Sequence, residues 1–310
     1  METVVQTMPE LPQEILMDIF ALLEIPDLVR AGSVCSSWNN AYTRIRNIGQ
    51  KKQAQTPCLL YTSESAGENV ACLYSLAEKR AYKLTLPEPS IHRRYLIGSS
   101  HGWVITVDER SEMHLVNPIT SEQIALPPVI TIEQVEPIYD NTGAICKYNY
   151  SMDTKMSVTR RPLTLALGKL RYYFHHKAHI FYDASVGSYI VVFIHNPFGQ
   201  LVFARLGDEK WTRLSSSYTN FQDCIYQDGV LYAVTAFGEI AFDLSGPVVG
   251  AKIIMDRVSD FYGRERVYIV QAPWGDMLQV WRPGAWINEE VDGHRHEATF
   301  EHKMKWMKYI

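Results

Sequence analysis

The stretch "CIYQDGVLYAVTAFGEIAFDLS", Cys224–Ser245, decides how most of this chain is built. Apolar residues alternate through it, and Asp228-Gly229 falls where a two-residue hairpin needs positive φ angles. A second turn is expected at Phe237-Gly238, which makes the stretch a three-stranded meander. The middle strand, Val230 to Thr235, is apolar on both faces, as a strand covered on two sides should be. The next strand places Ile240, Phe242 and Leu244 on one face and Glu239, Ala241 and Asp243 on the other.

Working outward, strand-turn-strand units recur at "ACLYSLAEKRAYKLTLP" from Ala71, "GWVITVDERSEMHLVNP" from Gly102, "YIVVFIHNPFGQLVFARL" from Tyr189 and "RVYIVQAPWGDMLQVWRP" from Arg266. Their turns are ~30 to 45 residues apart with one gap about twice as long, the spacing of propeller blades. The expected fold from residue 57 to 310 is therefore an all-β propeller. The long gap, about 131–177, is expected to hold a divergent blade or a loop-rich insertion, and "VEPIYDNTGAICKYNYSMDTKMSVTRRP", Val135–Pro162, reads as loop rather than strand.

The first part of the chain has a different period. Leu11, Ile15, Leu16, Ile19, Phe20 and Leu23 recur at helical spacing, and Pro12 suits the first position of a helix. Pro26 ends or restarts that helix, and Leu28, Val29, Ala31, Val34, Cys35 and Trp38 carry the pattern on. Two or three short helices are predicted over residues 8–48, followed by a linker at 49–56. A module of this size sits near the lower limit for independent folding, so its apolar stripe needs cover from a partner or from the rest of the chain. The expected class is α+β overall.

"LPQEILMDIFALLEIPDLVRAGSVCSSW", Leu11–Trp38, resembles an F-box: Leu-Pro-x-Glu-Ile-Leu, then Ile-Phe, then Pro-Asp-Leu-Val-Arg-Ala, then Val-Cys-x-x-Trp. So many matches in order are far more specific than a short pattern. The resemblance implies helices that bind the Skp adaptor of SCF-type cullin-RING ubiquitin ligases. Carried over, the adaptor-facing residues are Leu11, Pro12, Ile15, Leu16, Ile19, Phe20, Pro26, Leu28, Val34, Cys35 and Trp38. Ser36 and Asn39 depart from the family by standing where many F-boxes have a basic residue. The segments "GSSHGWVITVDERSEMHLVNPITSEQIALPP", "FARLGDEKWTRL", "AVTAFGEIAFDLSGP" and "VQAPWGDMLQVWR" are in turn similar to the kelch-like propeller of a large plant family of F-box proteins. In that family the chain continues past the strand that resembles "HKMKWMKYI", which makes an incomplete last blade an expectation here.

The 310 residues carry a formal charge of -4 and are 46% hydrophobic and 21% charged. That balance exerts no bulk attraction for nucleic acid or an anionic membrane. Five cysteines, at 35, 58, 72, 146 and 224, are widely spaced and odd in number, as in a reduced compartment. No secretory leader is evident, and the longest apolar run, "YIVVFI" from Tyr189, is strand-sized. Cytoplasm or nucleus is the expected location.

Chemical candidates are few. "GSSHG", Gly98–Gly102, matches the G-x-S-x-G of serine hydrolases, but the strand pattern of Trp103, Ile105 and Val107 follows it where an elbow requires a helix. It reads as a glycine-bounded lead-in to a strand, with a hydrolase using Ser100 as a remote alternative. His175, His176 and His179 cluster, as do His294, His296 and His302. Without a third ligand at defined spacing or a cysteine pair they read as solvated loop histidines, so neither a metal nor another cofactor is expected. Paired basic residues such as Arg93-Arg94 and Arg160-Arg161 read as solvated surface. Trp103, Trp211, Trp281 and Trp286 read as packing residues. Trp274, between Pro273 and Gly275 in a turn, is the candidate for target binding.

The expected protein is thus a non-catalytic substrate-recognition subunit, with the F-box on the Skp adaptor and the propeller on an unidentified target protein. Its partners include neither nucleic acid nor membrane. A stoichiometric binder or inhibitor of a regulatory protein is the alternative.

Overall fold

The structure is a computed structural model that describes residues 11–48, 56–67, 70–151, 162–235, 237–246, 248–255, 266–282, 289–291, 294–296 and 305–308. The chain divides into two compact units, Met1–Leu84 and Thr85–Ile310.

The first unit opens with three helices, α1 (Gln13–Phe20), α2 (Ile25–Gly32) and α3 (Ser36–Ile48). Pro12 stands just ahead of α1 and Pro26 lies in the first turn of α2, where neither ring removes a helical hydrogen bond. Leu16 and Phe20, one turn apart, point inward to meet Leu28, Ala41 and Ile45. The Phe20 and Trp38 rings pack edge to face at 5.3 Å. A three-stranded antiparallel sheet belongs to the same unit: β1 (Cys58–Thr62), β2 (Val70–Ser75) and β3 (Arg80–Thr85). Arg30 of α2 reaches Glu78 in the β2–β3 turn at 2.6 Å, Asp27 at 2.7 Å and the Tyr82 hydroxyl at 2.6 Å. That fork of exposed bonds ties helix to sheet by orientation more than by energy.

The second unit is a series of antiparallel sheets. The first holds β4 (Tyr95–Ser100), β5 (Trp103–Val107), β6 (Met113–Asn117) and β7 (Glu122–Ala125), in that order. Next come β8 (Val135–Tyr139), β9 (Ile145–Tyr150) and β10 (Leu163–Ala166), then the helix α4 (Leu167–Phe174). Two four-stranded meanders follow: β11 (His175–Asp183), β12 (Ser188–His195), β13 (Gln200–Arg205) and β14 (Thr212–Leu214); then β15 (Phe221–Gln227), β16 (Val230–Thr235), β17 (Gly238–Asp243) and β18 (Gly250–Met255). The last described strands are β19 (Arg266–Gln271), β20 (Met277–Arg282), the hairpin β21 (Glu289–Val291) with β22 (His294–His296), and β23 (Lys305–Lys308), which pairs with β20. Repeated antiparallel sheets make this a propeller-like domain that follows a small helical module along the chain, the α+β arrangement expected.

The hairpins expected from Gly102, Tyr189, Cys224 and Arg266 all form, with Asp228 (φ 49°) and Gly229 (φ 86°) making the mirror-image turn that matches strand twist. Side-chain contacts join the first strands of successive sheets. The Gln222 and Asp223 side chains of β15 accept the backbone N–H groups of Val267 and Ile269 on β19, at 2.7 and 3.2 Å. Because early residues of each strand meet, β15 and β19 run parallel. β11 relates to β15 in the same way, with Lys177 at Asp223 and Phe181 at Tyr226. Apolar cores fill the gaps: one joins the sheets of β4–β7 and β8–β10 with α4, β11 and inner residues of β12 and β13, another lies between β12–β14 and β15–β17, and Val234, Val267, Ile269 and Trp281 join β16 to β19 and β20.

Two expectations are corrected here. Within the stretch Val135–Pro162 expected to be loop, Val135–Tyr150 is strand and turn, and residues 152–161 lie outside the described residues: β8 and β9 form a hairpin whose turn is set by Asp140, its Oδ1 accepting the N–H groups of Thr142 and Ala144 at 2.8 and 3.1 Å. Asx turns of this kind supply bends without the Asn-Gly pair that marks a hairpin in sequence. Tyr148 and Tyr150 of β9 are fully buried, which a surface loop would not allow. Arg94 is no solvated cation either. It is 6% exposed, and its guanidinium donates to the carbonyls of Pro87 and Pro89, to Thr106 Oγ1 and to Gln123 Oε1.

Candidate docking surfaces and buried polar groups

The eleven residues expected to face an adaptor divide by burial. Leu16, Phe20 and Leu28 belong to the helices' own core, Leu16 being 1% exposed, so they shape the surface from beneath. Pro26 and Trp38 are half-buried. Leu11, Pro12, Ile15, Ile19, Val34 and Cys35 are exposed, Val34 to 63%, and Leu22 joins them. Ile15 and Ile19, four residues apart, share one face of α1, and Leu11 stands just ahead of the helix. An apolar stripe left in solvent after the helices have filled their own core is the composition of a protein-binding face.

Trp274 is 71% exposed in the β19–β20 turn, and its Nε1 donates to Asp276 Oδ2 at 2.8 Å. The ring is held rather than free. Trp103, Trp211 and Trp281 are buried, with the Trp211 indole donating to the Pro127 carbonyl at 2.8 Å. Trp286 lies outside the described residues.

"GSSHG" forms a hairpin. Ser99 and Ser100 end β4, His101 (φ 52°) and Gly102 (φ 79°) make the turn, and β5 begins at Trp103. The strand-turn-helix geometry that exposes a hydrolase nucleophile is missing at this segment. Gly98 is there for packing, since a β-carbon on it would stand 1.9 Å from the Ala178 carbonyl oxygen of β11.

The first histidine cluster lies on β11 rather than in a solvated loop. His176 is exposed as expected, but both ring nitrogens of His175 are buried without a hydrogen-bond partner, and the ring packs on Phe174 and Phe193. Burial drives its pKa down to about 3, and the neighbouring His195 down to about 4. His179 stacks on Phe181, and its Nε2 lies 3.1 Å from Asp223 Oδ1. Lys177 Nζ donates to the same oxygen at 2.7 Å. Although burial opposes ionisation, the His179 and Lys177 partners hold the Asp223 carboxyl below its usual range. This cluster joins β11, β15 and β19 and is invisible in sequence, because Asp223 lies 44 or more residues from its partners on the other two strands. No group of three or more metal-ligating side chains converges among the described residues. His294, His296 and His302 have no described side chains. No helix among the described residues is long and apolar enough to cross a membrane.

α4 falls within 131–177, the segment expected to be a divergent blade or a loop-rich insertion, where no helix is expected from the sequence. Its signal is present in "LGKLRYYF", where Leu170 and Phe174 are buried one turn apart while Lys169, Tyr172 and Tyr173 remain exposed.

Comparison with known proteins agrees with this architecture. Residues 8–45 match the family described as F-box-like, and residues 73–308 match the KIB1-4 beta-propeller family. An F-box/kelch-repeat protein of Arabidopsis thaliana is 33% identical over 121 residues, 38% of this chain and 32% of the relative. A putative F-box protein of the same plant is 24% identical over 228 residues, 73% of this chain and 53% of the relative. The chain spans about half the length or less of these curated relatives. Among solved structures, the N-terminal domain of Nup159 aligns with 82% of this chain and 56% of its own at 9% identity, with a TM-score of 0.38. Helices at 8–45 and a propeller match that takes in most of the remaining chain lead to one conclusion: the chain belongs to the KIB1-4 beta-propeller family, in its plant F-box form.

Proposed function

We propose that this protein is a substrate-recognition subunit of an SCF-type cullin-RING ubiquitin ligase, with the helices of the first unit docking on the Skp adaptor and the propeller holding a target protein. The observation that carries this reading is the exposure of Ile15 and Ile19 on α1, Leu11 just ahead of it, and Val34 and Cys35 between α2 and α3, around helices whose own core is already filled by Leu16, Phe20 and Leu28. A small module gains by covering such a face with a partner, since each buried aliphatic side chain contributes roughly 1.5–3 kcal/mol. The subunit performs no bond chemistry. It acts by proximity, raising the effective concentration of a target lysine at the ubiquitin-charged enzyme. A reducing cellular compartment suits the five free cysteines, two of which, Cys35 and Cys58, are exposed.

The test is co-purification of the full chain with a plant Skp adaptor. Ile15→Asp together with Pro26→Gly should abolish it while helical circular dichroism persists. Retention of the adaptor by that variant would overturn the assignment.

A further inference from the structure

On the second unit, exposed aromatic rings and cations meet at α4. Lys169, Tyr172 and Tyr173 share the outer face of this helix at three- and four-residue spacing, and Tyr95, at the start of β4, stands against them. The Tyr95 and Tyr172 rings meet edge to face at 5.0 Å. The Arg171 guanidinium lies 4.7 Å from the Tyr95 ring centre and 5.4 Å from that of Tyr172, and it donates to the Arg93 carbonyl at 2.8 Å. Lys169 Nζ is 5.5 Å from the Tyr172 ring. Asn196 Nδ2 donates to the Tyr173 carbonyl at 3.1 Å, which brings the β12–β13 turn and its exposed Phe198 alongside.

Two facts point to what covers this patch. Among the described residues no carboxylate ion-pairs with Lys169 or Arg171, and Glu109, which feels the Arg171 charge, is engaged by Arg93. The patch is therefore positive on a chain of net charge -4. Tyrosine and arginine, moreover, are the side chains that dominate binding energy at protein interfaces, because they present large, stiff, amphipathic surface. Here the rings and the guanidinium are already ordered against one another, so little entropy remains to be lost on binding.

We propose that this patch holds an acidic segment of the target protein, with Lys169 and Arg171 facing its carboxylate or phosphate groups and Tyr95, Tyr172, Tyr173 and Phe198 receiving the apolar side chains between them. Arg171 suits the central position because its planar fork can stack on tyrosine and bond an oxyanion at once. Two cations are too few to compete for a polyanion whose binding scales with the number of phosphates neutralised. The proposal rests on the receptor reading for the identity of the occupant. Its test uses no adaptor, so the two fail separately.

Fluorescence anisotropy on the purified full chain would use four labelled probes: a short peptide alternating Glu with Leu and Phe, the same peptide with phosphoserine for Glu, its Lys counterpart, and a single-stranded oligonucleotide. The Glu and phosphoserine peptides should bind, more weakly as salt rises, and the Lys peptide should not. Tighter binding of the phosphoserine form by ~ten-fold or more assigns a phosphorylated target, and equal binding assigns a carboxylate-rich one. Lys169→Glu and Tyr172→Ala, both at exposed positions, should each weaken binding by about ten-fold, the effect of one strong interface contact. Lys210→Glu, an exposed cation on the β13–β14 connection, should leave it unchanged. Equal binding of the Lys peptide, unaltered affinity in both patch variants with unaltered melting, or tighter binding of the oligonucleotide would each overturn the proposal.

Discussion

Gly98 of β4 and Ala178 of β11 approach so closely that any β-carbon at position 98 would stand 1.9 Å from the Ala178 carbonyl oxygen. The contact joins the first strands of two sheets, and backbone cannot yield as a flexible side chain would. Gly98→Ala should lower stability by about 1–3 kcal/mol, the usual cost of overpacking. Ser100→Ala, at an exposed position two residues on, should stay within ~0.5 kcal/mol of the unmodified protein. Urea titration of both variants checks the contrast.

Leu16 and Ile15 are neighbours in sequence with opposite fates. Leu16→Ala should cost roughly 2–5 kcal/mol by opening a cavity among Phe20, Leu28 and Ile45. Ile15→Asp should leave the helices folded, since its side chain already faces water. Helical circular dichroism against temperature separates the two.

Asp223 accepts Lys177 Nζ at 2.7 Å and the Ile269 N–H at 3.2 Å, linking three sheets through one buried carboxylate. Asp223→Ala leaves both donors without that partner and should cost ~3 kcal/mol, toward the lower end for a broken buried pair because Lys177 is partly exposed. Proteolysis under native conditions should speed up between β14 and β19.

His175 and His195 carry large shifts in the acid response, to which His101, His114 and His176, also lowered mainly by desolvation, add. The folded pKa values of His175 and His195 are depressed to about 3 and about 4, whereas unfolded histidine titrates near 6.5. Below about pH 6.5 the unfolded chain binds more protons than the folded one, so stability falls as pH drops from there toward 4 and 3. Fully developed, the loss should be about 3 kcal/mol for His195 and about 5 kcal/mol for His175. Asp223, depressed below the ordinary carboxylate value, contributes only at lower pH, where its own protonation begins. Melting temperature measured across pH 4–8 should bend near 6.5, and His175→Phe should flatten the acid limb.

Trp274→Ala should change stability by less than ~0.5 kcal/mol, since the ring is exposed and its indole bond is to a neighbouring turn residue. Any change in target capture by this variant therefore reports binding rather than folding.

Much of the architecture was legible because it is local. Alternation and the Asp228-Gly229 pair determine a meander whose strands are sequence neighbours, and the spacing of Leu11 to Trp38 determines helices. The β8–β9 hairpin escaped because its turn is bent by a side-chain oxygen of Asp140 rather than marked by a glycine pair. α4 escaped because eight residues hold only two turns of periodicity, too few to stand out.

By itself, the amino-acid order determined the helical module, the repeated antiparallel sheets and the absence of an elbow after Gly102, all consequences of backbone preference and short-range pattern. Only the tertiary structure decided which residues are available to a partner. Within one apolar stripe it buries Leu16 and exposes Ile15, it sinks Arg94 and His175 into protein, and it gathers Tyr95 with Arg171 and Tyr172 across 76 residues of chain. Burial and long-range pairing depend on which surfaces meet when the sheets stack, and no periodicity along the chain encodes that.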